Sequence, residues 1–584
     1  MRPSPPVLAA AALAGLCVAA SPAAAQYGGQ SSPLSSGLGG GYSGGLQSTL
    51  GTSTRVGDLR PQLEAYYARN ARAPSITAPA WLIQPSISVD TGITDNAQRA
   101  SSARRADIYT VITPSITVSR DAPRLKLDAT YAPSYTKYLN TKAQSGLAQT
   151  GNLRALAILV PDALFFDARA SASQSSITGN SIASQNSTAN YNRQNQVQTY
   201  TFSLGPYAQH RFGSWGVGRI GYSLQRTLQD VPSDQQGLST VTQTGTAGSG
   251  TTGNLTTHSE NAVFTSGENL GRFNTTTTLS ATQYRGSNAY RGAHRNEAQN
   301  QVGFAFTRTI TLLGGFGYQD VAYNGTPAYR LREPTWNTGV RYAPNPDSII
   351  TVLYGRRDAS NSISFDGQFA PTARTRISGR YSTGVTSDLQ EAQSLLESTS
   401  VGTSGGLSDS TTGAPVSSSG LSGTQNGIYR VRRLSLTASL LQQRNTYSVT
   451  ISSEDRTTLT TSTSLLNNGT IPAGTSTSSV SASAAWQHDL TPDISTSLTA
   501  QYGTTNSTSQ LVTGSGGKQR TLSMSAVLSK TFTQTLTGSL RYSFTDQSGG
   551  TGTNTTVYNP LTGRTFNTGA YTENVFLVGL RKSF

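Results

Sequence analysis

From residue 80 onward the chain alternates apolar and polar positions with a period of two. Leu125, Leu127, Ala129, Tyr131, Pro133 and Tyr135 fall on one face, and Lys126, Asp128, Thr130, Ala132, Ser134 and Thr136 fall on the other. Such alternation predicts a β-strand, because successive side chains point to opposite sides of a pleated backbone. Its length carries further information. A strand in a soluble domain averages ~5–6 residues, whereas one that crosses a bilayer needs ~9–11.

The same pattern recurs along the chain. Ile108, Thr110, Ile112, Pro114, Ile116 and Val118 share a face. Leu164, Phe166, Ala168, Ala170 and Ala172 oppose Asp167, Arg169, Ser171 and Ser173. Tyr200, Phe202, Leu204, Pro206 and Ala208 oppose Thr201, Ser203 and Gln209, and Leu434, Leu436, Ala438 and Leu440 oppose Ser435, Thr437 and Ser439. A weaker case joins Ile494, Thr496, Leu498 and Ala500. Tight connections are marked by Asp121-Ala122-Pro123, Pro161-Asp162, Phe212-Gly213-Ser214, Pro344-Asn345-Pro346-Asp347, Pro371-Thr372 and Thr491-Pro492-Asp493. Between the hairpins lie polar stretches near residues 175–195, 228–255, 385–427, 457–476, 503–517 and 546–570. Short connections alternating with long ones are the arrangement of an outer-membrane barrel, with short periplasmic turns and long extracellular loops.

An opening strand near residues 81–90, about ten hairpins and a closing strand give an all-β, transmembrane, antiparallel up-and-down barrel. The expected number of strands is about 22, within a range of roughly 18–24, and is even, as is the rule for single-chain barrels of this kind. The segments 262–266 and 361–369 carry the faintest strand pattern. The closing strand is Phe576-Leu577-Val578-Gly579-Leu580-Arg581-Lys582-Ser583-Phe584, with Phe576, Val578, Leu580 and Phe584 on one face. This segment, with Gly579, looks like the C-terminal signal read by the barrel-insertion machinery. Lys582 departs from that signal, which has an apolar residue there.

The N-terminus reads as an address. Arg2 begins it, Val7–Ala20 is an apolar run, and Ala23-Ala24-Ala25 forms a small-residue cleavage site before Gln26. Residues 1–25 are therefore expected to be a signal peptide. The run is shorter than the ~20 residues of a spanning helix. The one cysteine, Cys17, lies inside it behind Leu16, where a lipoprotein signal has a small residue. A mature chain beginning at Gln26 holds no cysteine, which excludes disulfides, thiol catalysis and zinc–thiolate sites. Residues 26–79 form a Gly/Ser-rich leader, with a helix possible at 63–69, and residues 80–584 form the barrel.

Composition agrees with the pattern. Charged residues are 12% and hydrophobic residues 35% of the chain, with 59 Gly. A soluble domain averages ~25% charged and ~45–50% apolar. A barrel tolerates a low apolar share because only the outward phase must be apolar. The 26 tyrosines suit girdles at the membrane interfaces. The net charge of +15 would suggest nucleic acid in a cytosolic protein; the export address directs it to the bacterial outer membrane, where lipid is the partner and nucleic acid is not expected. Basic residues recur on the polar phase: Lys126, Arg169, Arg219, Arg341, Arg376 and Arg380. A lumen lined this way favours anionic solutes, and the same arginines pairing with Asp128, Asp167 or Glu297 would instead form structural ladders.

Catalytic chemistry does not stand out. Gly41–Gly45 and Gly402–Gly406 fit G-x-S-x-G, but each sits in low-complexity sequence without a strand–turn–helix context. His210, His258, His294 and His488 lack ligand spacing. No enzyme activity, cofactor or metal is expected.

Several stretches resemble a bacterial family of outer-membrane barrels encoded with exopolysaccharide and exosortase (PEP-CTERM) systems, also grouped as a β-barrel porin family. They are Ile83-Gln84-Pro85-Ser86-Ile87-Ser88-Val89 with Thr94-Asp95-Asn96, Ile112-Thr113-Pro114-Ser115-Ile116, Arg124-Leu125-Lys126-Leu127, Leu164-Phe165-Phe166-Asp167-Ala168-Arg169-Ala170, Tyr207-Ala208-Gln209-His210-Arg211-Phe212-Gly213, Tyr354-Gly355-Arg356-Arg357 and Gly579-Leu580-Arg581. The similarity spans most of 80–584 in patches and omits the leader. It implies an outer-membrane channel that passes or supports export of a polysaccharide, with a periplasmic export partner and no catalytic motif. Two other readings stand beside it: a structural or adhesive surface barrel without transport, and a general small-solute porin. A plugged receptor fits less well, because the plugs of that class exceed a hundred residues and only about 55 follow the signal here. A long loop such as 385–427 can still constrict the pore.

Overall fold

The computed structural model describes residues 81–141, 145–176, 196–230, 254–286, 288–401, 407–409, 427–463, 470–508, 517–549, 556–559, 564–567 and 570–584. The expected signal peptide with Cys17, the leader with its possible helix, both G-x-S-x-G matches and much of the long loops lie outside these residues.

One sheet of 22 strands closes on itself. Its strands are β1 Leu82–Thr94, β2 Asp107–Ala122, β3 Leu125–Tyr138, β4 Gly146–Val160, β5 Leu164–Ser176, β6 Gln196–Arg211, β7 Gly216–Asp230, β8 Asn254–Ser266, β9 Phe273–Gly286, β10 Ala293–Ala305 and β11 Ile310–Tyr323. They continue as β12 Tyr329–Asn345, β13 Ser348–Arg357, β14 Ser360–Thr372, β15 Thr375–Thr386, β16 Tyr429–Gln442, β17 Asn445–Thr458, β18 Ser476–Thr491, β19 Ile494–Ser507, β20 Gly517–Thr533, β21 Leu536–Gly549 and β22 Tyr571–Ser583. Each strand pairs antiparallel with the next, and β1 closes on β22 through Ser86↔Ser583 to Thr94↔Val575. The count is one opening strand, ten short-turn hairpins and one closing strand. The faint segments 262–266 and 361–369 belong to β8 and β14.

Thirteen residues, as in β1, span ~43 Å along a strand, and a tilt of ~40° leaves ~33 Å across the membrane, more than the ~25 Å apolar band. The two phases separate cleanly. Ile87, Val89 and Ile93 of β1 are exposed, as are Phe576, Val578 and Leu580 of β22, while Ser86, Thr94, Glu573, Val575 and Leu577 are buried. The apolar exposed phase is the outer face. The alternate phase, largely Ser, Thr, Asn, Gln and charged residues, lines the interior. Among the described residues no helix is long and apolar enough to cross a membrane.

All six tight connections expected from Pro, Gly and Asp lie at one end of the barrel. Asp162 and Gly213 supply the left-handed backbone of two of them, with φ of 61° and 59°. Five of the ten short turns carry a register shift beside the turn, the usual place for bulges at barrel rims. The strand ends that flank all six long stretches lie at the other end. That end also has five shorter connections, 95–106, 139–145, 287–292, 324–328 and 358–359, so the long-loop side is uneven. Three small hairpins rise there, pairing Thr399–Val401 with Leu407–Asp409, Ser462–Thr463 with Thr470–Ile471 and Thr556–Asn559 with Arg564–Asn567.

The seam between β22 and β1 explains the glycine of the C-terminal segment. Gly579 lies on the inner phase opposite Asp90, and a Cβ there would run into the Asp90 carboxylate and come within 2.8 Å of Ser539 Oγ. Lys582 sits on the outer phase at the short-turn rim and donates to Thr535 Oγ1 at 2.7 Å, which gives its charge a polar anchor outside the apolar band. Gly579→Val is expected to destabilise the closed barrel by about 1–3 kcal/mol, the cost of overpacking a filled site. The check is the temperature at which the fast-migrating folded band disappears on a gel. Gly314→Val is the comparison, since no atom lies within 4 Å of a Cβ there, and it should leave that temperature unchanged.

Candidate functional site, the inner wall and its long-loop mouth

The inner wall is built from the polar phase of all 22 strands. The six basic residues singled out above all lie on it. Lys126, Arg219, Arg341 and Arg376 sit near the short-turn ends: second in β3, fourth in β7, fifth from the end of β12 and second in β15. Arg169 and Arg380 sit deeper, each sixth in its strand. Their surroundings differ. Arg169 is buried and grips Asp167 through Nε at 2.8 Å and a second guanidinium nitrogen at 3.0 Å. Arg380 donates to Asp366 at 2.9 Å. Lys126 lies 3.5 Å from Asp121. Arg219 stacks over the Tyr207 ring, 3.5 Å from its centroid. The Arg376 guanidinium has no ion pair among the described residues, and Arg541 and Arg581 on the same wall likewise lack a carboxylate within ion-pair distance. The wall thus combines ladders with cations that keep a field in the lumen. Between them stand neutral amides, Gln225, Asn261, Gln301, Gln319, Asn337 and Gln501, all buried on the inner phase.

The long-loop mouth holds what the alternation pattern did not locate. After β15 the chain enters the lumen as a helix, α1, Asp388–Ser398. Ser387 caps it: its Oγ accepts from the Gln390 N–H at 3.3 Å and donates to Gln390 Oε1 at 3.2 Å. This S-x-x-Q arrangement makes the serine half of a capping box, with the Gln390 side chain meeting the Ser387 hydroxyl rather than its backbone N–H, and Asp388 and Glu391 in the first turn suit the positive end of the helix dipole. Leu389, Ala392 and Leu396 form its buried apolar stripe. Leu389 joins a cluster with Leu255, Tyr284, Tyr290, Val321, Tyr323 and Ile428.

Polar contacts tie α1 to walls far apart on the ring. Gln393 accepts from Thr257 of β8 at 3.0 Å, and Gln390 donates to Tyr323 of β11 at 3.1 Å. On the other side Asp388 accepts from Tyr429 of β16 at 2.7 Å and from Arg456 of β17 at 2.9 Å. Glu391 accepts from Arg433 of β16. All these wall residues lie on the inner phase, so α1 is inside the barrel. β8 and β17 are nine places apart among the 22 strands, and one helix with its side chains is only ~10–12 Å across. The mouth is narrowed around α1.

Two buried charge clusters hold this mouth. In the first, Arg295 pairs with Glu297 at 2.5 Å and with Asp358 at 2.7 Å, and Arg357 pairs with Glu297 at 2.6 Å. Two arginines balance two carboxylates. In the second, Arg433 and Arg456 face three carboxylates, Asp388, Glu391 and Glu454. One acid is in excess. Burial therefore pushes the Asp388 carboxyl up to about 7, against the pull of Arg456 and with the help of neighbouring Glu391. Burial raises Glu391 as well, against Arg433 and Arg456. The sequence signals for this site were the S-x-x-Q at Ser387–Gln390 and the inner-phase charges of Arg433, Glu454 and Arg456 beside a long loop. Alternation alone places those charges on the wall without saying what they face.

The histidines do not converge. His210 meets Phe212 edge-on, His258 bonds Tyr222 at 2.7 Å, His294 lies 3.4 Å from Asp320, and His488 bonds Asn445 at 2.8 Å. Among the described residues no group of His, Cys, Asp and Glu is arranged to hold a metal.

Fold and wall define a wide transmembrane β-barrel with a polar interior. Residues 73–243 match the family model described as "Putative beta-barrel porin 2". No curated protein matches the chain. Among solved structures, the chain is similar to the ferric-catecholate import receptor Fiu from E. coli K12, at 12% identity and a TM-score of 0.44 over 85% of this chain and 81% of that one. It is similar to the FrpB iron transporter from Neisseria meningitidis, at 9% identity and a TM-score of 0.44 over 87% and 82%. A third is the siderophore receptor PirA from Acinetobacter baumannii, at 9% identity and a TM-score of 0.42 over 86% and 80%.

The excess carboxyl makes the mouth sensitive to pH. Asp388 has a folded value near 7 against an ordinary 3.8. A raised carboxyl stabilises the docked state fully below the ordinary value and loses that contribution as pH rises through the folded one. Docking of α1 is therefore expected to weaken between about pH 4 and pH 7. Limited proteolysis of the 386–429 connection should quicken several-fold from pH 5 to pH 8. Asp388→Asn should flatten that profile. Slower cleavage at pH 8 would contradict the assignment.

Proposed function

We propose that the protein is an outer-membrane channel for a polar, anionic or hydroxyl-rich solute, with α1 as a constriction at the extracellular mouth. The observation that carries this reading is the closed 22-strand barrel whose inner wall bears amides and arginines and whose mouth is crossed by one short helix. A barrel this wide leaves an aqueous lumen unless something fills it. Arginines such as Arg376, Arg541 and Arg581 supply an anion field. The resemblance of the sequence to barrels of exopolysaccharide systems favours a polysaccharide as cargo and export as direction, with a periplasmic partner feeding the short-turn side.

This reading includes a signal peptide removed after Ala25, insertion through Phe576, Val578, Gly579, Leu580 and Phe584, and short turns on the periplasmic side. Anionic lipid phosphates would meet the rim arginines. The test is single-channel recording of the refolded protein against a variant lacking residues 388–401. The variant should conduct at least several-fold more than the parent and prefer anions. Arg376→Glu with Arg541→Glu in that background should shift preference toward cations. A folded, heat-modifiable deletion variant that passes no current would overturn the channel reading.

A further inference from the structure

The outer face of β6–β11 departs from the rule that lipid-facing residues are apolar. A depression of about 820 Å³ runs across these strands. Its floor is set by small side chains, Ala208 of β6 with Ala262, Ala281 and Ala298, lying between Ile220, Tyr222, Leu279 and Tyr318. All lie on the outer phase. Within the same depression stand Glu260, Asn296 and Asp320. Glu260 lies six residues above the short-turn end of β8, which is ~15 Å up a tilted strand and inside the ~25 Å apolar band. Its carboxylate is exposed and, among the described residues, has no ion-pair or hydrogen-bond partner. Asp320 does have partners, His294 at 3.4 Å and Arg332 at 3.2 Å. Lower on the same face Asn300 donates to Thr275 and Thr277 at 3.0 and 2.7 Å.

A carboxylate facing hydrocarbon is costly and marks a functional surface. Close approach over small residues, with polar groups bonding across, is how membrane-embedded surfaces associate. We infer that the outer face of β6–β11 is the contact surface for a second copy of this chain. Charge complementarity selects that occupant. Glu260 and Asp320 share one register row, in which Asp320 is already paired with Arg332; His258 and His294 lie in the next row toward the long loops, and Arg226 and Arg285 flank Thr256 in the row beyond. Strands tilted by ~40° cross when two barrels meet about a two-fold axis along the membrane normal. The row of Glu260 in each copy then crosses the Arg226–Arg285 row of the other, so the two copies present opposite charges to one another. The rim tyrosines Tyr222 and Tyr318 of one copy have the alanine floor of the other to enter. A lipid chain would fill the depression but leave Glu260 unanswered.

The inference does not depend on what the lumen carries. The test is disulfide trapping in intact outer membranes, in a Cys17→Ser background that removes the chain's one cysteine. Ala281→Cys with copper-phenanthroline should give a product of twice the chain mass. Val449→Cys, on the outer phase of β17, should give at least tenfold less. Native mass spectrometry of the detergent-extracted parent should record a dimer, and Glu260→Leu, with its folded gel band intact, should reduce the dimer at least tenfold. Equal trapping at both positions, a monomer carrying lipid mass alone, a complex with a different protein, or a dimer unmoved by Glu260→Leu would each overturn it.

Discussion

Everything in this molecule follows from the requirement that backbone N–H and C=O groups be paired when no water is present to pair them. An unpaired group in hydrocarbon costs several kcal/mol. A sheet meets that requirement only by having no edge, so the pairing of β1 with β22 is the contact on which the other 21 depend. It explains why the seam tolerates no side chain at Gly579, where Asp90 leans across from the neighbouring strand. It also explains why a chain with 35% hydrophobic residues can build so large a structure. The solvent for the outer phase is lipid, and the inner phase is free to be polar.

Closure creates a second problem, which the mouth addresses. A ring of 22 strands encloses more space than its inward side chains can fill. On the long-loop side the chain places a capped helix in that space and fixes it with charge clusters. Buried ion pairs of this kind add little net stability, since desolvation offsets most of the attraction, but they penalise any arrangement that leaves one member alone. The cluster of Arg295, Arg357, Glu297 and Asp358 is balanced and fixes the wall. The cluster around α1 carries one carboxylate too many, and its balance depends on a proton. One cluster is thus a fixed joint and the other a joint that pH can loosen.

The sequence made the barrel legible because strand alternation is a local signal that repeats many times. Leu125–Thr136 already contains the fold: period two, a dozen residues, charge on one phase only. Short turns were readable at Asp162 and Gly213 because each needs a backbone conformation few residues adopt. The interior was less legible. Alternation put Arg169, Arg380 and Arg456 on the same phase alike, yet one grips Asp167 beside it, one reaches Asp366 on the next strand, and one meets a helix that arrives from a loop. Which carboxylate an arginine meets depends on register and on loop paths, and neither is written in a period of two. The serine cap at Ser387, in the S-x-x-Q of Ser387–Gln390, was the one local mark of α1, and it lies inside a stretch whose composition reads as loop.

The same reasoning separates the two faces of the barrel. On the inner face a charge has water or a partner within reach, so Arg376 or Asp366 can be placed there at little cost. On the outer face nothing but lipid is available, so each polar residue must be accounted for. Lys582 is accounted for by Thr535 at the rim, Asp320 by His294 and Arg332, and Asn300 by two threonines. Glu260, at mid-depth above a floor of alanines, has no such account within a single chain. A carboxylate in that position costs less when its neighbour is protein rather than hydrocarbon. The polar pattern of one strand, β8, is thus what the proposed pairing of two copies rests on.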